Sequence, residues 1–116
     1  MTTVAAIHQF VRRKRYQVTL HGRGFHIPME GDKPIKGFFT VRRVLAENAE
    51  EAKRLAIETL EQERRYQELV EFTVMELGCR NSCSVHLESI GYLSWFRWRF
   101  GRHSPSLILY QDEAKQ

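Results

Sequence analysis

No stretch of apolar residues in this chain is long enough to cross a bilayer, which takes about 20 in a row. Cysteine is scarce. Two residues, Cys79 and Cys83, cannot build a disulfide framework, and a chain without one points to a reducing compartment. The basic run at residues 12–15 follows the apolar residues of 1–10, the reverse of a secretory signal, so a cytoplasmic location is expected. There is no internal repeat, no phosphate-cradling glycine loop and no HExxH-like spacing among His8, His21, His26, His86 and His103. No nucleophile, base and acid can be assembled into a set. Nothing therefore argues for an enzyme, and no cofactor is expected. The 116 residues suffice for one domain with an ordinary core, residues 1–116, with 1–14 and 111–116 expected as flexible margins.

Acid is missing from the first 27 residues, which hold five bases: Arg12, Arg13, Lys14, Arg15 and Arg23. Residues 47–76 reverse the balance with nine glutamates against four bases, and Arg97, Arg99 and Arg102 make the last third basic again. Such asymmetry within a net charge of +4 suits a binding face, or two surfaces that attract each other in a homo-oligomer. The plainer alternative is a solvated surface with ordinary charge scatter.

Residues 36–46 (KGFFTVRRVLA) read as a strand, since Thr40, Val41 and Val44 are β-branched and two phenylalanines accompany them. Alternation puts Phe39, Val41, Arg43 and Leu45 on one face and Phe38, Thr40, Arg42, Val44 and Ala46 on the other. A helix follows over about residues 49–66. Asn48 is its N-cap, Glu51 completes a capping box, and Ala49, Ala52, Ala56 and Leu60 form the buried stripe.

Tyr16, Val18 and Leu20 alternate with polar residues as an earlier strand, and Gly22 and Gly24 suggest a bulge that brings Phe25 and Ile27 back into step. Residues 28–37, with two prolines and two glycines, read as a connecting loop. Val70, Phe72 and Val74 alternate as a strand that Gly78 ends, residues 84–92 give another strand or irregular segment, and residues 107–110 a short last one. The expected fold is α+β: an antiparallel sheet of four or five strands in β-β-α-β-β order, with one long helix on one face, a ferredoxin-like half-sandwich.

Four patterns are candidates for function. Lys36, Gly37, Phe38 and Val41 match part of the signature of an RNA-recognition motif, Lys/Arg-Gly-aromatic-small-aromatic-Val-x-aromatic. Phe39, Thr40 and Arg43 break it, and residues 15–35 hold no helix of the kind that fold requires. In residues 95–100 (WFRWRF), Phe96, Trp98 and Phe100 share one side and Arg97 and Arg99 the other. Interleaved bases and aromatics suit nucleic-acid backbones with stacking, whereas a core strand with solvated arginines uses the same pattern for burial. Cys79-x3-Cys83-x2-His86 is a loose metal-ligand cluster, one ligand short of a structural zinc site. The histidines form the fourth set.

Residues 37–46, Glu50-Glu-Ala52, Leu55-Ala56, residues 71–76 and Leu109-Tyr110 resemble a small bacterial family of uncharacterised α+β proteins. That family has a Gly-Phe-aromatic-Thr-x-Arg-x-Val-x-Ala strand, an acidic helix and a late aromatic-Tyr strand. The resemblance implies the fold and a bacterial cytosolic setting, and transfers no site residue.

An open sheet with one helix leaves a face uncovered, so self-association through Phe38, Val44, Phe96, Trp98 and Phe100 is expected. The leading function is a non-enzymatic binding or scaffolding protein acting as a homo-oligomer. The alternatives are nucleic-acid binding through Arg12, Arg13, Lys14, Arg15, Arg97 and Arg99, and a small-molecule enzyme with a pocket around His21, His26 or His86.

Overall fold

A computed structural model describes residues 13–94, 97 and 107–111. In chain order these form β1 (Lys14–Arg23), β2 (Ile27–Met29), β3 (Asp32–Ile35), β4 (Gly37–Ala46), α1 (Ala49–Glu61), α2 (Arg64–Leu77), β5 (Ser84–Tyr92) and β6 (Ile108–Tyr110). Four strands make one antiparallel sheet in the order β5-β1-β4-β6, and β2 and β3 form a separate ribbon. The α+β class and the four-stranded sheet are as the sequence led us to expect. The order differs, because the ribbon precedes β4 and two helices stand where one was expected.

The sheet buries one face against the helices. Tyr16, Val18, Leu20 and Gly22 of β1 lie opposite Val44, Arg42, Thr40 and Phe38 of β4, and on this side seven of the eight residues are buried. Ala52, Ala56 and Leu60 of α1 and Tyr66 and Val70 of α2 meet them. Small alanines at 52 and 56 let α1 approach the sheet closely, whereas Ala49, the first residue of the expected stripe, is exposed.

The helix expected over 49–66 ends at Glu61 because Glu63 leaves it. Glu63 adopts extended backbone (ψ 137°) and its carboxylate grips both terminal nitrogens of Arg42, so it makes no side-chain cap to α2. Arg42 is 3% exposed on the helix-facing side of β4, and its Nε donates to Thr40 Oγ1. A buried guanidinium needs a carboxylate, and the break between helices delivers one. At the other end Asn48 caps α1 by accepting from Glu51 N at 2.8 Å; Glu51 reaches back to Glu47 N, one residue earlier than a standard box.

The strand expected at residues 70–75 is the second half of α2. Tyr66, Val70 and Thr73 are its buried residues, spaced four and three apart, while Phe72 is 49% and Met75 81% exposed. Residues 28–37 are mostly the β2–β3 ribbon, where Ile27 pairs with Ile35. Pro28 and Pro34 argue against a central strand but are tolerated in a two-stranded ribbon. No bulge forms at Gly22 and Gly24. Gly22 stays in step and leaves room for the Phe38 ring, whereas Gly24 turns the chain at φ +77° and sends Phe25 into the core. The sheet's bulge lies in β5 at Glu88, between the pairs Thr19–Ser89 and Leu20–Leu87.

Candidate functional site

The helices cover one side of the sheet, so the chemistry-bearing residues on the other side share a face. Arg15, Gln17, Thr19 and His21 come from β1 and Phe39, Val41, Arg43 and Leu45 from β4, all half-buried except Leu45. β6 adds Tyr110 opposite Gly37. The absent side chain at Gly37 admits the Tyr110 ring, whose hydroxyl lies 2.7 Å from His21 Nε2. His21 stacks on Phe39 with centroids 4.3 Å apart, and Tyr110 lies 5.6 Å from Phe39. Three aromatic faces from three strands thus form one cluster. The sequence placed Phe39 beside Arg43, but Tyr110 is 89 residues from His21 and no local pattern announces their meeting.

The basic candidates are dispersed. Arg13, just before β1, and Lys14, its first residue, are exposed, with Lys14 Nζ 5.7 Å from the centre of the Tyr92 ring. Arg15 is half-buried on the aromatic side of the sheet. Arg97 is exposed, and its carbonyl accepts from Arg43 Nη1 at 3.2 Å, which places residue 97 over that side. Arg12, Arg99, Phe96, Trp98, Phe100, His8 and His103 lie outside the described residues. Phe38 and Val44 are corrected as interface residues. Both point toward the helices: Phe38 is wholly buried against Phe25 and Tyr66, and Val44 packs on the core. Their even positions in β4 put them there.

The metal candidates do not converge. Cys79 is exposed in the turn after Gly78, Cys83 is half-buried, and His86 is exposed on β5. Among the described residues no three His, Cys, Asp or Glu side chains gather as a ligand set. Burial raises the Cys83 thiol, against the opposing hydrogen bonds from Thr73 and Ser82, so it stays protonated rather than becoming a thiolate ligand or nucleophile.

The histidines also go separate ways. His26 Nδ1 meets Lys36 Nζ at 3.2 Å, and His86 Nε2 meets Ser84 Oγ at 2.8 Å. That last pair has the reach of a nucleophile and its base. It sits on an exposed strand, however, with no carboxylate hydrogen-bonded to the ring among the described residues.

Two clefts open at the helices instead. One, of about 380 Å3, runs along α1 beside Lys53, Arg54 and Ile57, where Arg54 already pairs with Glu58 at 2.7 Å. The other, of about 370 Å3, lies at the α1–α2 junction and is lined by Glu61, Tyr66, Gln67, Val70, Glu71 and Arg80. Reading the end of α2 as a strand hid this second cleft, since only a helix brings Tyr66, Val70 and Glu71 to one wall. No helix among the described residues is long and apolar enough to cross a membrane. Compared with protein-family models, curated proteins and solved structures, the chain matches none of them.

Proposed function

We propose that this is a non-enzymatic binding protein that works as a homo-oligomer in the cytoplasm, in keeping with the small bacterial family it resembles. One observation carries the reading. β5 is a nine-residue edge strand, and among the described residues no strand pairs with its outer side. Leu87 and Tyr92 are 37% and 71% exposed on it, and its only acid, Glu88, occupies the bulge. A long edge with so little charge is a template for another strand, and the same edge of a second copy supplies one through a two-fold axis. The free thiols of Cys79 and Cys83 agree with a reducing compartment.

Light scattering on a sizing column at micromolar concentration is expected to give a dimer. Leu87→Lys, which puts a charge on the edge, should give a monomer with nearly unchanged thermal stability. A wild-type monomer would sink the proposal.

A second reading rests on the His21–Phe39–Tyr110 cluster, with Arg15 and Arg43 on the same side of the sheet. Aromatic faces among bases are a platform for single-stranded nucleic acid. Running the same column with a labelled single-stranded RNA at low and high salt separates the two, because phosphate contacts weaken steeply with salt.

A further inference from the structure

The cleft at the α1–α2 junction holds polar groups left without partners. Tyr66 is 7% exposed, its ring edge-on to Phe25 and Phe38 with centroids 6.1 Å from each. Tyr66 lines the cleft, and its hydroxyl, with no hydrogen bond to another described residue and not among the buried unpaired atoms, meets solvent there.

The charges around the opening are also uncommitted. Elsewhere in the helical layer Arg42 pairs with Glu63, Arg54 with Glu51 and Glu58, and Arg64 with Glu68, while Lys53 and Arg65 make no ion pair among the described residues. Glu61, Glu71 and Arg80 make no ion pair among the described residues, although all three line one cleft. Gln67 is occupied, since its amide donates to the Glu61 carbonyl at 3.1 Å and ties the two helices together. Burial first, and then the Glu61 carboxylate, keep the Tyr66 proton in place, while Arg80 acts in the opposite sense. The phenol therefore sits within the field of an acid and a base at once.

We propose that this cleft binds a small zwitterion with excess positive charge, of the class of free basic amino acids. Glu61 and Glu71 take its cationic groups, Arg80 takes its carboxylate, and the Tyr66 hydroxyl donates a hydrogen bond to that carboxylate. Two acids and one base set the charge of the ligand, and Val70 gives its aliphatic stem an apolar contact. This rests on reading the chain as a binding protein and not on the β5 edge.

The test is titration of the full-length protein with L-arginine, followed by amide chemical shifts. Saturable shifts confined to residues near 61, 66–71 and 80 are expected. L-argininamide, which lacks the carboxylate, should bind about tenfold more weakly, as should the Arg80→Gln protein. Tyr66→Phe keeps the ring in the core and should lower affinity about fivefold. N-acetylarginine, which keeps the carboxylate but loses an ammonium, reports the acidic wall and should also weaken. Absence of saturable shifts, or binding indifferent to both Tyr66→Phe and Arg80→Gln, overturns the proposal. A dimer on the sizing column with no arginine binding would remove the cleft proposal alone, and arginine binding by a monomer would remove the oligomer alone.

Discussion

Arg42 is the residue on which the helical layer is set. Its guanidinium is 3% exposed beneath the α1–α2 junction, and Glu63 answers it with both carboxylate oxygens. Removing the acid alone strands a buried charge, so Glu63→Ala should cost about 3 kcal/mol in urea denaturation. Replacing both partners, with Arg42→Met and Glu63→Leu together, should recover most of that loss, because the desolvation penalty leaves with the charge. Equal losses in the single and double variants would refute this account. Alternation in β4 was enough to put Arg42 on a face with Phe38 and Thr40. It gave no sign of a partner 21 residues away, so the helix break was not legible.

Among the elements, α2 shows how two periodicities compete. Val70, Phe72 and Val74 alternate well enough for a strand, yet Tyr66, Val70 and Thr73 supply the helical spacing that burial selects. Thr73 decides where the helix is anchored. Its Oγ1 donates to Leu69 O at 2.9 Å and accepts from His26 N at 3.0 Å, tying α2 to the chain entering β2. Thr73→Val keeps the shape and leaves the His26 amide without its acceptor. A loss of about 1–3 kcal/mol is expected, with faster amide exchange at His26. Exchange at His26 as slow as in wild type would show that the bond does not hold the element. β1, β4 and α1 were legible because their signals are local: alternation, β-branching and the Asn48 cap. The β2–β3 ribbon was obscured by its prolines, and the pairing of β6 with β4 has no local signature.

For the whole molecule, three groups held protonated by burial shape the response to alkaline pH. Burial raises the Tyr66 and Tyr16 phenols and the Cys83 thiol above their usual ranges. The unfolded chain releases these protons at about pH 8.5–10, while the folded chain still holds them. More protons on the folded state mean that stability falls as pH rises through that window, and is fully present below it. The urea midpoint should therefore hold level from about pH 7 to about pH 8 and decline beyond, with a shallower decline in Tyr66→Phe. A midpoint constant to about pH 11 would contradict the burial of these groups.

The sheet order has a consequence for synthesis. β6 closes the outer edge of β4 at residues 37–39, but it is made last among the elements of the described residues, after both helices and β5. At about 5–20 residues per second, that edge stays open for several seconds while the nascent chain lengthens. During this interval Phe39 lacks its Tyr110 neighbour, and nascent chains on one message hold the same unpaired edge close together. The rate of translation thus enters the yield of folded protein, through the delay between the making of a strand and the arrival of the one that covers it.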